Sequence, residues 1–448
     1  RTEITKYRTL LDQGANGTLT QDDRNAILTQ LKSLQDAIYA EGNADYAGRT
    51  VFTGYRTDKN LTFQSDETST KYSIHQTLMA ANTVEECRYY NGITEAPTTG
   101  DAISHPENAK DIEKTTYNRI RLAYDSLDST AVTLSYHIPG EDATTNHAIP
   151  GNLPDNTTAA TFAEYETEAD WAAAAGGKTV AENGIVLIRE TGELILGSKV
   201  SEQLKSANAA VNIEYEKTGF KKGELRPEYY YNCVDKTDIN AANHITYTKT
   251  EKDAAGNILY DDAGRPLEKN YDIEYIIANN QPLAINLEAC DIFNQDIYQD
   301  MTDAIDAVTS SVNAHSKLEK IDTMLRMEQY ADEQSQKDLN KWREAIQKEA
   351  DYFDDNLQKM YSRFIGKTDD YLEKMSLAIT KVGCKADQLE LTEERMNNQQ
   401  ETVMELQSKN DDMDLSSIIL KYTASYTAYQ ASLTAAGKLG EISLLNYI

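Results

Sequence analysis

Apolar residues recur every three or four positions at both ends of this chain and every second position between them. That change of period predicts helices at the ends and strands in the middle. Ile4, Tyr7, Leu10 and Leu11 open on a helical stripe that is expected to run to about Gln13 and to stop at Gly14-Ala15-Asn16-Gly17. Thr20 then stands three residues before Asp23, the spacing at which hydroxyl and carboxylate each satisfy an orphan N–H of a new helix. Its core face is predicted at Ile27, Leu31, Leu34 and Ile38, and Gly42, Asn43 and Gly48 close it. Thr50 to Tyr55, with Gly54, reads as a short β-hairpin that leads to Phe63.

From about Gln64 to Ala289 the period is two. Val132, Leu134, Tyr136 and Ile138 alternate with polar residues, as do Ile120, Leu122 and Tyr124. Ile185–Arg189 and Leu194–Leu196 flank Glu190-Thr191-Gly192-Glu193, a tight hairpin signature. Further strands are expected at Val211–Tyr215, Tyr229–Cys233, His244–Tyr247, Asn257–Tyr260 and Tyr271–Ile276, with Pro139–Thr161 a weakly structured loop. The segment is predicted to be a β-rich insertion of one or two small domains.

Helix returns near Cys290 with Ile297, Met301, Ile305, Val308 and Val312, continued by Leu318, Ile321 and Leu325. A second pattern passes through Leu339, Trp342, Ile346, Phe353, Leu357, Met360 and Phe364. A third starts near Tyr371 and passes through Leu389, Met396, Val403, Leu406 and Met413. The seven-residue spacing of Leu389, Met396 and Val403 implies left-handed packing of long helices, so these three and Leu406 are expected in a rod core with Ile27, Leu31, Leu34 and Ile38.

The last stretch differs in kind. Leu415 to Ile448 carries only Lys421, Lys438 and Glu441 as charged side chains. Tyr422, Tyr426, Tyr429, Leu433 and Ala436 nevertheless follow the seam period of a coiled coil. Its other positions are Ser, Thr, Ala and Gln, which suits a lone surface helix poorly. The expectation is an assembly element, buried when subunits join through Leu415, Ile418, Ile419, Tyr422, Tyr426, Tyr429, Leu433, Leu439, Leu444 and Leu445.

Composition narrows the function. A chain of 448 residues exceeds one ordinary core, and its formal charge of -29 argues against nucleic acid and anionic membrane as partners. Cys87, Cys233, Cys290 and Cys384 are scattered, so free thiols are expected and a zinc site is not. No apolar run reaches the roughly 18 residues of a membrane span, and no signal peptide opens the chain. Because Arg1 falls inside an amphipathic pattern, a preceding helical portion is expected to be missing.

Asn16-Gly17-Thr18-Leu19-Thr20-Gln21-Asp22-Asp23-Arg24, then a helix, then Phe52-Thr53-Gly54-Tyr55-Arg56-Thr57 before Phe63, resembles the N-terminal conserved half of the flagellin superfamily. The Phe52, Gly54, Tyr55 and Phe63 hairpin looks like its hook-associated protein 3 branch. Leu389-Glu390-Leu391-Thr392-Glu393-Glu394-Arg395, and Tyr429 through Ser443-Leu444-Leu445, are similar to the family's C-terminal region. The resemblance spans about half of the chain and leaves the insertion out.

It implies a mainly α rod of long antiparallel helices with a β-rich inserted domain, an α+β multidomain chain. The segments would be 1–63, the first rod half with its hairpin; 64–289, the insertion; 290–410, the second rod half; and 411–448, the assembly helix. It further implies a non-enzymatic structural part of the extracellular bacterial flagellum, joining hook to filament and exported by the flagellar type III system without a cleaved signal peptide. The partners so implied are further copies of itself in a ring or helical array, a neighbouring hook-associated protein, flagellin and an export chaperone. A bulk filament subunit, or a junction protein whose insertion acts as an adhesin, are the alternatives.

Catalytic chemistry leaves no mark. There is no His-Glu-x-x-His, P-loop, G-x-S-x-G or G-x-G-x-x-G in a credible context, and no cofactor is expected. Asp253 to Gly264 lacks the alternating oxygen ligands and closing Glu of a calcium loop, and reads as two consecutive turns.

Overall fold

The computed structural model describes residues 1–16, 19–142, 144–411 and 414–441. Its helices are α1 (Thr2–Asn16), α2 (Gln21–Gly42), the short α3 (Ala80–Thr83), α4 (Gly100–Ile103), α5 (Glu168–Ala173), α6 (Ser198–Ser206) and α7 (Ala289–Ile292), and the long α8 (Asp296–Leu325), α9 (Glu333–Asp411) and α10 (Leu415–Glu441). The strands are β1 (Asp45–Tyr46), β2 (Arg49–Thr50), β3 (Glu67–Met79), β4 (Glu85–Asn91), β5 (Glu113–Arg121), β6 (Thr133–His137), β7 (His147–Ile149), β8 (Thr161–Tyr165), β9 (Gly184–Ile188), β10 (Glu193–Leu196), β11 (Ala210–Phe220), β12 (Asn232–Asp235), β13 (Ile245–Tyr247), β14 (Glu274–Ala278) and β15 (Gln281–Ala284). The chain is therefore a mixed α+β protein.

Two compact units divide it. One joins Arg1–Glu274 with Ala284–Ile379, and the other joins Tyr275–Leu283 with the described residues from Thr380 onward.

In the first unit, α1, α2, α8 and the first part of α9 share one core. Ile4, Tyr7 and Leu11 from α1, Ile27, Leu31, Leu34 and Ile38 from α2, Ile297, Met301 and Val308 from α8, and Leu357, Tyr361 and Phe364 from α9 are all buried in it. The direction of packing is set by polar ties. Gln21 donates to the Val312 carbonyl at 3.1 Å while Gln35 donates to the Tyr298 carbonyl at 3.2 Å, so α2 runs antiparallel to α8. Arg8 pairs with Asp369 at 2.6 Å while Gly14 meets Tyr361, so α1 runs antiparallel to α9.

Thr20 caps α2 as its spacing predicts, with side-chain and backbone bonds to Asp23 in both directions. Gly14, however, does not stop α1, which continues to Asn16. A Cβ on Gly14 would lie 2.3 Å from the Tyr361 ring, so glycine is there for close approach and not as a helix stop. The second and third helical patterns likewise merge into α9, a single helix of 79 residues.

The insertion forms two sheets, of order β4-β5-β10-β9-β8 and β13-β12-β3-β11-β6-β7. Their facing sides bury Ile120, Leu187, Leu194 and Leu196 against Ile74, Leu134, Ile213 and Tyr215. β9 and β10 form the hairpin expected around Gly192, which adopts φ +66. Other expectations need correction. Tyr229–Cys233 begins as a 3-10 turn at Pro227–Tyr229 and becomes a strand only at Asn232, because Pro227 removes a donor and fixes the turn. Asn257–Tyr260 contributes only isolated bridges between two like turns, in which Asp253 and Asp261 accept backbone N–H bonds from Asn257 and Arg265. The loop expected at 139–161 contains β7 and ends at β8.

The outer face of the five-stranded sheet meets the helices through charge. Arg119 bridges Glu85 at 2.9 Å and Asp303 at 2.5 Å and also pairs with Glu193, while Lys367 bridges Asp300 at 2.9 Å and Glu85 at 3.2 Å. Insertion and helices are thus tied within one unit.

Candidate assembly surface

Near Phe63 the inserted sheets and the helices meet. The hairpin in this region is β1–β2, from Asp45 to Thr50, and not Thr50 to Tyr55. Ala47 and Gly48, both at positive φ, supply its turn. Phe52 to Tyr55 instead turns beneath Glu288. Thr53 bridges Glu288, and the Gly54 N–H donates to the Leu287 carbonyl at 2.9 Å. Gly54 needs its missing side chain twice over, for φ +66 and because a Cβ would sit 3.2 Å from Glu288.

Phe52 packs edge-on against Phe293, with ring centroids 5.4 Å apart, and Tyr55 leans on Tyr271 at 5.0 Å. Phe63 is fully buried and stacks on Phe220 at 4.6 Å under the Arg226 guanidinium. Phe52 thus packs with the helical core and Phe63 with the core between the sheets.

The large apolar residues on the helices of the second unit are mostly exposed. Leu389, Met396, Val403 and Leu406, expected in the rod core, are 45 to 60% exposed, so they do not belong to the core of the single chain. The physical reason is reach: the shared core of the first unit takes in α9 residues only up to Met375, and these four lie outside it. Leu391 and Met404, which the heptad reading passed over, are equally bare.

On α10, Leu415, Ile419, Tyr422, Tyr426, Tyr429, Leu433 and Leu439 are 51 to 72% exposed, and Ile418 is 36% exposed. On a helical wheel Leu415, Tyr422, Tyr426, Tyr429 and Leu433 fall on one side, and the Tyr422 and Tyr426 rings stack at 6.1 Å. Leu444 and Leu445 lie outside the described residues. Leu420, at 72% exposure, adds a position that the seam period alone does not reveal.

Four hydroxyls of α10 are already bonded within the helix. Thr423, Thr427, Ser432 and Thr434 each donate their hydroxyl to the carbonyl four residues back, at 2.6 to 2.8 Å. The helix can thus enter an apolar environment without leaving those hydroxyls unpaired.

In the same unit β14 and β15 form a two-stranded hairpin whose Tyr275 and Ile276 are exposed, and Gln281 on β15 accepts from Arg395 on α9 at 3.1 Å. Among the described residues no group of three His, Cys, Asp or Glu side chains is placed to hold a metal, and no helix is long and apolar enough to cross a membrane. All four cysteines are free thiols.

No protein-family model matches the chain, and no curated protein does. Among solved structures the chain is similar to Xanthomonas campestris FlgL, at 10% identity and TM-score 0.18, over 85% of this chain and 88% of that one. It is also similar to the flagellar hook associated protein-3 of Legionella pneumophila, at 9% identity and TM-score 0.17, over 90% of this chain and 88% of that one. A third similar structure is the flagellar junction protein FlgL from Legionella pneumophila, at 8% identity and TM-score 0.17, over 84% and 87% of the two chains.

Proposed function

We propose that this chain is a structural subunit of the bacterial flagellum that joins hook to filament by burying α10 and the far part of α9 between copies of itself. The observation that carries this reading is the continuous exposure of a low-charge helix, four of whose hydroxyls are bonded within it. Each large apolar side chain taken from water contributes about 1.5–3 kcal/mol before ordering costs. Several such residues in register suffice to drive association.

The occupant is a second copy of the chain, because the exposed seam has the period with which like helices pair. The flagellar setting rests on the sequence resemblance at the two ends. Hook-associated protein and flagellin would be the neighbours above and below, with an export chaperone covering α10 before assembly and export proceeding without a cleaved signal peptide.

Antibody against the insertion tests the junction on intact flagella. A single labelled band at the hook end is expected. Label along the whole filament would instead make the chain a filament subunit, and no label on the flagellum would overturn the flagellar setting altogether.

A further inference from the structure

The charge cluster between the inserted sheet and the helices is not used by the assembly reading. Glu85 comes from β4, Arg119 and Arg121 from β5, Glu193 from β10, Asp296, Asp300 and Asp303 from α8, and Arg363 and Lys367 from α9. Arg119, Arg121, Arg363 and Lys367 make ion pairs with Glu85, Glu193, Asp300 and Asp303, four cations against four carboxylates. Asp296 makes none of these pairs, although it lies one turn from Asp300 and is partly buried. It is a carboxylate left over from a site balanced four against four, and the more exposed Asp306 is another.

We propose that Asp296 is a proton-operated control of this joint: charged, it strains the balanced cluster; protonated, it lets the inserted sheet and the helices close more firmly. The groups that face the site from every packed element are consistent with this. Besides those already named, Tyr7 of α1 donates to the Asp300 carbonyl at 3.5 Å, Tyr371 of α9 donates to the Asp300 carboxylate at 2.5 Å, and Asp306 of α8 and Cys87 of β4 lie near Asp303. Burial first, then the Asp300 charge, raise the Asp296 carboxyl to about 6, while Lys367 and Arg121 pull the other way without prevailing. The N-terminus of α8 also favours the charged form, and it too is outweighed.

The sign follows. A carboxyl whose folded value lies above its unfolded value of about 3.8–3.9 takes up its proton in the folded state first, so its effect on stability is favourable as pH falls from above 6 toward the unfolded value.

The test is Asp296→Asn, which should make the protein more stable than wild type. At about pH 7.5 the variant should melt a few degrees higher, and by about pH 5 the advantage should be clearly smaller, vanishing only toward the unfolded value near 3.9, where Asp296 is neutral in both states. A variant equal or less stable at the higher pH, or an advantage that is the same at both, overturns the proposal. A second reading does not depend on the variant: the carbon-13 shift of the Asp296 carboxyl in the wild-type chain should titrate near 6, and a midpoint near the ordinary value of about 4 would contradict it.

Discussion

The two ends of α9 carry the same rhythm of apolar residues and differ in what covers them. Leu339, Trp342, Ile346, Leu357 and Phe364 are buried, whereas Leu389, Met396, Val403 and Leu406 on the same helix are exposed. The near part also buries polar groups in pairs: Glu349 accepts from the Thr94 N–H at 3.0 Å and from Lys317 at 3.1 Å. Among the described residues the far part offers surface ion pairs such as Lys409 with Glu405. A periodic stripe specifies that a face is to be covered, and a second segment of chain decides by what.

The comparison can be broken most severely in the bundle. Phe364→Ala, at a fully buried position, should cost about 3–5 kcal/mol, read by denaturant unfolding. The same kind of truncation at Leu406 should shift the midpoint little. Equal losses at both sites would remove the distinction between the two parts of α9.

Next in size is the charge cluster. Arg119→Met leaves Glu85, Glu193 and Asp303 short of a cation and should cost about 3–5 kcal/mol. Burial works to raise Glu85 and Asp303, but Arg119 with Lys367, and Arg119 with Arg121, hold them below the usual carboxylate range. Groups lowered in this way contribute stability that is present above the unfolded value of about 4 and lost as pH falls through the folded one. Wild type should therefore lose stability steeply below about pH 4, and Arg119→Met should lose less of it there. Melting against pH checks both slopes.

The smaller effect is Gly14→Ala. The added methyl meets the buried Tyr361 ring and should cost about 1–3 kcal/mol, although alanine is the better helix former.

Legibility in the sequence followed the same division. Ile27, Leu31, Leu34 and Ile38 could be placed on one face because each is apolar at helical spacing, and all four are buried. The central strand β3 could not be read, since its stretch Ser73-Ile74-His75-Gln76-Thr77 mixes polar residues into both faces. Gln76 is buried only because its carbonyl accepts from the Ala123 N–H and the Tyr215 hydroxyl, partners far away in sequence. The heptad at Leu389 was legible as a stripe, but its exposure was not, because no local pattern states how far α1 and α2 extend. The stop assigned to Gly14 and the hairpin assigned to Gly54 failed for one reason: both glycines answer to side chains brought in by the fold, Tyr361 and Glu288.

The central claim is that the exposed seam of α10 serves association and not the fold of the single chain. Leu433→Asp, examined by thermal melting and by sedimentation under conditions where wild type polymerises, tests it directly. An unchanged melt with loss of polymer is predicted, since a carboxylate costs little on a solvated helix and several kcal/mol when buried without a partner in a subunit seam. A variant that polymerises as wild type does, or that loses its melting transition as a monomer, would contradict it.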